Sequence, residues 1–248
     1  MGKLIIANFK MNPESAEEAR ELASLIDAPN LVIAPPFPFL SAVNENLKQG
    51  SLGAQDVFWE NSGKGGGPFT GEVSPSQLKA MGVKFVIVGH SERRRLGETD
   101  DIIAKKIKAL VAIRLIPILC IGEKKEEKER EVSEEVIKNQ LHKALSLLSK
   151  EDNSKLVIAY EPVWAISTEP GAKADTPQNA VFMIRVLKKS LLVIKPNIIA
   201  TFVYGGSVND KNAQDFLSQE EIQGALVGGA SLDERKIKKI ITLGDTYS

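Results

Sequence analysis

The segment LVIAYEPVW, residues 156–164, constrains the fold more than any other part of the chain. Its first five residues form a short, uninterrupted apolar run of β-formers, which is typical of a strand buried on both faces of a parallel sheet. Glu161 follows this strand directly, and Pro162 disfavours a helical conformation at Glu161. Parallel α/β proteins bind their ligands beyond such strand ends. Glu161 is therefore a candidate functional residue, although an isolated glutamate at a strand end more often faces solvent.

The same kind of apolar segment recurs along the chain and alternates with segments of helical periodicity. The predicted strands lie at residues 4–8, 31–34, 51–57, 85–89, 116–121, 156–160, 198–204 and 224–228. Helices are predicted after Ser15, which has capping-box spacing to Glu18, and near residues 38–48, 75–81, 100–113, 132–149, 177–194, 210–217 and 233–242. This alternation, without a linker-like boundary, predicts an α/β fold with a single-domain (β/α)8 barrel over residues 1–248. An open doubly wound sheet remains the structural alternative.

The composition is that of a globular protein with a large apolar core. Hydrophobic residues make up 43% of the 248 residues and charged residues 26%, and the formal net charge is zero. Zero net charge predicts no general attraction to nucleic acid or to an anionic membrane. No apolar run approaches the ~18 residues of a membrane-spanning helix. The amino terminus does not resemble a signal peptide and Cys120 is the single cysteine, so we predict a cytoplasmic protein.

Polar and glycine-rich motifs follow five of the predicted strands. They are Asn8-Phe9-Lys10 after the first strand, Gly89-His90-Ser91-Glu92 after the fourth, Glu161 after the sixth, Gly205-Gly206-Ser207 after the seventh and Gly228-Gly229 after the eighth. In a parallel barrel all of these strand ends lie on one face, so residues far apart in the chain should meet at one mouth. Each motif alone is more often a surface residue or an ordinary turn, but their convergence indicates a functional site.

The residues that follow the strands form a chemically consistent set. The two glycine-rich turns expose backbone N–H groups and, with the Ser207 hydroxyl, would bind an anion such as phosphate. Lys10 would supply a fixed positive charge, His90 a neutral hydrogen-bond donor and Glu161 a general base. Ser91 is placed to cap a short helical turn beside His90. The set suits proton abstraction next to the carbonyl of a phosphorylated substrate, through an enediolate.

Other chemistries lack the residues that they need. His90, His142 and Cys120 do not have the spacing of metal ligands, so no metal site is predicted. No G-x-S-x-G elbow follows a predicted strand, which argues against a serine hydrolase. The glycine-rich run at residues 63–67 lacks the spacing of a nucleotide-binding loop and the helix that should follow it.

The motifs resemble those of the triosephosphate isomerase family. The matching stretches are ANFKMN, GAQDV, PFTGE, VIVGHSERR, PILCIGE, AYEPVWAI, YGGSV and ALVGGASL, and they span essentially the whole chain in the family's order. The resemblance implies a TIM barrel that interconverts dihydroxyacetone phosphate and D-glyceraldehyde 3-phosphate without a metal or organic cofactor. Another phosphosugar isomerase, epimerase or aldolase on this fold, or a non-catalytic barrel, remains an alternative.

The resemblance also implies a role for each motif residue. Glu161 would move a proton between the two substrate carbons, and His90 would polarise the carbonyl. The other implied roles are stabilisation of the oxyanion (Lys10 and Asn8), support of Lys10 (Glu92), and binding of the substrate and its phosphate (Phe9, Ser167, Ser207, Gly228 and Gly229).

Two loops depart from the family pattern. The segment 167–175, which would form a lid, is longer than usual and has Ser167 in place of a glycine. The loop before PFTGE carries the glycine-rich run at residues 62–67. In the family this loop, with the threonine that matches Thr70, inserts into a neighbouring subunit, so the resemblance implies a homodimer. Trp164 is expected to anchor the lid, with a plain core role as the alternative, and Cys120 is expected to be a small buried strand residue.

Overall fold

In the computed structural model, the described residues form a closed barrel of eight parallel strands surrounded by helices. The structure describes residues 2–60, 67–166 and 171–247. The strands are β1 (Leu4–Asn8), β2 (Leu31–Ala34), β3 (Ser51–Ala54), β4 (Phe85–Val88), β5 (Ile116–Ile121), β6 (Lys155–Tyr160), β7 (Ile199–Tyr204) and β8 (Gly224–Val227). Each strand pairs with the next, and β1 pairs with β8. That last pairing confirms the predicted (β/α)8 barrel and excludes an open sheet.

Several helices begin after a residue whose side chain caps the first turn, whereas others have no side-chain cap. Within the described residues they are α1 (Ala16–Ile26), α2 (Leu40–Asn44), α3 (Pro75–Ala80), α4 (Ser91–Arg95), α5 (Asp100–Ala112), α6 (Lys125–Glu129), α7 (Ser133–Ala144), α8 (Pro177–Ile194), α9 (Ala213–Leu217) and α10 (Glu234–Thr246). Short 3₁₀ turns occupy Phe37–Phe39, Val163–Ala165 and Gly229–Leu232. Ser15 caps α1 as predicted, because its hydroxyl accepts the Glu18 N–H at 3.2 Å. None of these helices is long and apolar enough to cross a membrane.

Several element boundaries differ from the prediction, among them the end of α2 at Asn44, predicted near residue 48, and the end of α10 at Thr246, predicted near residue 242. The strand predicted at residues 51–57 ends at Ala54, because the next side chain, Gln55, turns to donate to the Ala34 and Lys10 carbonyls. The helix predicted at 132–149 ends earlier, at Ala144. The end of β3 depends on contacts with other parts of the chain, which hydrophobic periodicity does not report.

Alternate side chains of most strands enter two separate apolar layers. In β6, Val157 and Ala159 belong to a cluster built from strand residues inside the barrel. Leu156, Ile158 and Tyr160 belong to the larger cluster between the barrel and its helices. This burial on both faces is the reason that β6 has a continuous apolar sequence. Because both faces of the strand are buried, polar groups are favoured at the strand ends.

Cys120, the single cysteine of the chain, lies within the inner layer of the barrel. Burial raises the pKa of its thiol well above the usual value, which disfavours the reactive thiolate. Cys120 is therefore a small buried strand residue, as predicted.

Candidate active site

A cavity of about 550 Å³ lies at the carboxyl ends of the strands and brings most of the predicted site residues together. The predicted residues that line it are Asn8, Phe9, Lys10, His90, Glu161, Ser207, Gly228 and Gly229. The Phe9 side chain is fully buried in the outer apolar layer, so Phe9 can face a ligand only through its backbone. Thr70 is exposed and does not line the cavity, and Ser167 lies outside the described residues.

The Glu161 carboxylate is buried against the beginning of α4. Its Oε2 accepts the Ser91 N–H at 3.0 Å, and its Oε1 accepts the Ser91 hydroxyl at 3.2 Å. His90 Nε2 lies 3.0 Å from the same Oε1. The residue is only 3% exposed, which excludes the alternative of a glutamate that simply faces solvent. Because Glu161 lines the cavity and is shielded from bulk water, its carboxylate can interact with a reacting group bound there.

The contacts of His90 identify the ring nitrogen that carries the proton. Nδ1 accepts the Glu92 N–H at 3.2 Å, so the proton of the neutral ring is on Nε2, which points at Glu161. Burial disfavours the imidazolium, but the Glu161 carboxylate outweighs burial and raises the pKa of His90 above its usual value. His90, not Ser91, is the N-cap of α4, so the predicted cap was wrong. As the first helical residue, Ser91 is free to bind Glu161 instead.

Lys10 is held at both its backbone and its side chain. Its φ of 52° is unusual for a residue other than glycine. Asn8 Oδ1 accepts the Lys10 N–H at 3.0 Å, and Gln55 Nε2 donates to the Lys10 carbonyl at 2.7 Å. The Lys10 ammonium donates to Glu92 Oε1 at 2.7 Å. Although partial burial opposes it, this ammonium lowers the pKa of Glu92, so the Glu92 carboxylate stays ionised at neutral pH.

Glycine-rich turns form another part of the cavity wall. A Cβ placed on Gly228 would lie 3.3 Å from Lys10 Cε, so this turn closely approaches the lysine. A Cβ placed on Gly229 would meet no atom within 4 Å, so the backbone there faces open space. Gly229 begins a 3₁₀ turn, and Ser207 lines the same cavity. Backbone N–H groups without side-chain cover are suited to binding an anion.

Charged side chains of both signs line the cavity. Lys211 and Lys236 line it together with Lys10, whereas Glu161 and Asp210 are its acidic lining residues. Lys10 is paired with Glu92 and Lys236 with Asp233, so the lysines offer N–H donors to a phosphate group rather than an excess of positive charge. Among residues 2–60, 67–166 and 171–247, no group of three or more His, Cys, Asp and Glu side chains is arranged to hold a metal ion.

Two contacts in this site were not predicted from the sequence. Ser91 binds Glu161 across 70 positions of the chain, and Gln55 binds Lys10 across 45. Ser91 directly follows His90, and Gln55 lies within the motif GAQDV, so both residues belong to stretches that resemble the family. Neither spacing indicates the distant partner, because both contacts depend on how the barrel closes.

Comparisons with known proteins agree with this geometry. The family model described as triosephosphate isomerase matches residues 3–244. The triosephosphate isomerase of Dictyoglomus turgidum is 44% identical over 248 residues, which cover 96% of this chain and 98% of that protein. The triosephosphate isomerase of Aquifex aeolicus is 42% identical over 253 residues, which cover 97% of this chain and 99% of that protein. The chain belongs to the triosephosphate isomerase family.

Proposed function

We propose that this protein interconverts dihydroxyacetone phosphate and D-glyceraldehyde 3-phosphate by moving a proton between adjacent carbons. The observation that carries the proposal is the 3.0 Å approach of His90 Nε2 to Glu161 Oε1 in the cavity that Lys10 and the glycine-rich turns also line. A general base, a neutral hydrogen-bond donor, a cation and an anion-binding turn are the groups that an enediolate reaction on a phosphorylated triose requires.

Glu161 is the general base and His90 the hydrogen-bond donor in this proposal. Without substrate the two side chains contact each other at 3.0 Å. Substrate binding must replace that contact, so that His90 Nε2–H donates to the carbonyl oxygen and the Glu161 carboxylate faces the carbon that loses its proton. The hydroxyl proton must also move from one substrate oxygen to the other, and the carboxylic acid then returns the abstracted proton to the neighbouring carbon. Both steps use the protonation states that the hydrogen bonds of the site support.

The other predicted residues bind and stabilise the substrate in this proposal. The Lys10 ammonium and the Asn8 side chain stabilise the developing oxyanion, and the ion pair with Glu92 fixes the direction of the ammonium. Ser207, Gly228 and Gly229 bind the phosphate. A role for the Ser167 N–H in phosphate binding is proposed from the family resemblance alone.

A coupled assay of the wild-type protein tests the proposed function. We expect D-glyceraldehyde 3-phosphate to be converted to dihydroxyacetone phosphate, detected by oxidation of NADH with glycerol-3-phosphate dehydrogenase. Unphosphorylated glyceraldehyde is the matched control, and it should react far more slowly because remote binding energy contributes to the chemical step. No turnover of the phosphorylated triose would overturn the proposal. Turnover of ribulose 5-phosphate in its place would support an epimerase.

We also propose that the protein is a homodimer whose interface includes the loop with Thr70. Residues 67–72 of this loop are exposed. Met11, Phe69 and Leu96, which all follow strands at the same end of the barrel, are 92%, 40% and 77% exposed. Large apolar side chains left in water at one end of a monomer are suited to an interface between copies.

The dimer should sediment at twice the 27.0 kDa of the chain. Micromolar protein in analytical ultracentrifugation is the measurement. Phe69→Asp should shift the population toward monomer because it buries a charge in the interface, whereas Phe182→Asp, at an exposed position on α8, should not. A wild-type protein that sediments only at 27.0 kDa would contradict the proposal.

Three further expectations from the sequence remain proposals. They are a single domain over residues 1–248, a cytoplasmic location and the lack of a nucleic-acid partner. The zero net charge and the single cysteine, Cys120, support the last two.

A further inference from the structure

A buried ion pair contacts the residue that precedes His90, and the proposed reaction does not use it. The Lys106 ammonium, on α5, donates to Glu98 Oε1, and both side chains are almost completely buried. Burial of two charges costs free energy that their attraction need not repay, and a neutral pair of similar volume is often as stable. Stability alone is therefore not a sufficient reason for this pair, and its further contacts indicate another role.

Glu98 divides its two carboxylate oxygens between two donors. Oε1 accepts from the Lys106 ammonium, and Oε2 accepts the Gly89 N–H at 3.1 Å in a buried hydrogen bond. Because Lys106 binds Oε1, the carboxylate is fixed in the orientation in which Oε2 faces Gly89. Hydrogen bonds with an ionised partner are stronger than those between neutral groups, so the Gly89 N–H is held firmly.

Gly89 is the residue at which the chain leaves β4 and turns toward His90. Its φ of 69° lies in the left-handed region, which favours glycine. Glycine has the largest conformational freedom of any residue, so its conformation has to be fixed by contacts with other groups. The Gly89 N–H is bound by Glu98, and the Gly89 carbonyl accepts the Arg94 Nε–H at 2.7 Å. A displacement of this peptide would move the next residue, His90.

Lys106 is itself fixed by a second carboxylate. Its ammonium also donates to Asp56 Oδ1 at 2.5 Å, and Arg93 Nη2 lies 2.9 Å from Asp56 Oδ2. Asp56 follows β3, Arg93 lies in α4 and Lys106 lies in α5, so the cluster joins separate segments of the chain. Glu98 therefore cannot rotate away from Gly89 without breaking its contact with Lys106.

We propose that Glu98 is a positioning residue for His90, acting through the buried hydrogen bond to the Gly89 N–H. The ion pair with Lys106 orients the carboxylate, and the carboxylate holds the peptide that leads into His90. His90 Nε2, which lies 3.0 Å from Glu161 Oε1, is the atom whose position depends on this peptide. The effect on catalysis rests on the proposed function, whereas the state of the His90 ring can be measured without turnover.

Two double variants isolate the hydrogen bond to Gly89. Glu98→Gln/Lys106→Met and Glu98→Met/Lys106→Met both remove the buried ion pair, but only the first keeps an oxygen that can accept the Gly89 N–H. We expect kcat to stay within about threefold of wild type in the first and to fall about 10-fold or more in the second, since a misplacement of about 1 Å can cost about 10²-fold. The KM, and the Kd of inorganic phosphate in calorimetry, should agree within about twofold between the two.

Glu98→Gln alone tests whether Lys106 orients Glu98. Glutamine has a single side-chain oxygen, so it cannot accept from both the Gly89 N–H and the Lys106 ammonium as the carboxylate does. We expect this variant to have a lower kcat than Glu98→Gln/Lys106→Met, because removal of the ammonium frees the oxygen for Gly89. A kcat equal to or above that of the double variant would show that Lys106 does not orient residue 98.

The ring of His90 can be observed directly because the chain has two histidines. In NMR after isotopic labelling of histidine nitrogen, His142, at an exposed position of α7, serves as an internal control. Wild type and Glu98→Gln/Lys106→Met should show the neutral His90 ring with its proton on Nε2. Glu98→Met/Lys106→Met should show a mixture of the two neutral tautomers, with the signals of His142 unchanged.

Lys195→Met is the control for a general loss of stability. Lys195 is a buried lysine that donates to the Leu148 carbonyl, before the amino ends of the strands and thus away from the cavity. Its substitution should lower the Tm but leave kcat and the His90 signals unchanged. Equal kcat and equal His90 signals in the two double variants would overturn the positioning role of Glu98. If the wild type showed no turnover, the proposed function would fail, and the His90 signals would still decide that role.

Discussion

Glu161→Gln is expected to lower kcat for the isomerisation by about 10²–10⁴-fold, because it removes the general base. Glutamine has the same shape, and its carbonyl oxygen can still accept the Ser91 N–H that Glu161 accepts at 3.0 Å. The KM should change little, since the phosphate-binding turns are untouched. The coupled assay gives both constants, and thermal unfolding checks that the variant is folded.

Glu161→Asp distinguishes the effect on kcat of moving the base from the effect of removing it. Aspartate keeps a carboxylate but withdraws it by one methylene, and a misplacement of about 1 Å can cost about 10²-fold in rate. We therefore expect Glu161→Asp to retain more activity than Glu161→Gln. A loss below about 10-fold in Glu161→Gln would show that Glu161 is not the base. Equal losses in both variants would show that a displaced carboxylate is no better than none.

The barrel and the group of residues at its mouth could be predicted because both depend on local patterns. Each strand is apolar along its length since it is buried on two faces, as the two layers around β6 show. The polar residues within two positions of the end of a parallel strand then lie at the mouth, which is sufficient to bring Lys10, His90 and Glu161 together. These predictions required no knowledge of contacts between distant segments.

The contacts that hold Lys10 and Glu161 in place could not be predicted. They depend on the residue at which a neighbouring strand or helix ends or begins, and on how the barrel closes. Because β3 ends at Ala54, the Gln55 side chain reaches the Lys10 carbonyl. Because α4 begins at Ser91, the Ser91 hydroxyl reaches the Glu161 carboxylate. Each of these contacts joins residues from different strand ends.

His90→Asn is expected to lower kcat by about 10²–10³-fold, because it removes a preorganised donor to the developing oxyanion. Asparagine is the better control than alanine, since its Oδ1 can replace Nδ1 as the acceptor of the Glu92 N–H and so keep the cap of α4. The Glu161 carboxylate stays in place through its two contacts with Ser91. A loss of less than about 10-fold would show that Nε2–H does not stabilise the transition state.

The same variant tests the charge coupling between His90 and Glu161 in the absence of substrate. Because the carboxylate raises the folded pKa of His90, the stability from this pair is fully present below the unfolded pKa of histidine and is lost as pH rises through the raised folded pKa. The Tm difference between wild type and His90→Asn should therefore be larger at about pH 5 than at about pH 9. Asparagine does not titrate, so a Tm difference independent of pH would mean that burial and Glu161 cancel and that the pKa of His90 is not raised. A Tm difference that is smaller at about pH 5 than at about pH 9 would mean that burial outweighs Glu161 and keeps the ring neutral at low pH.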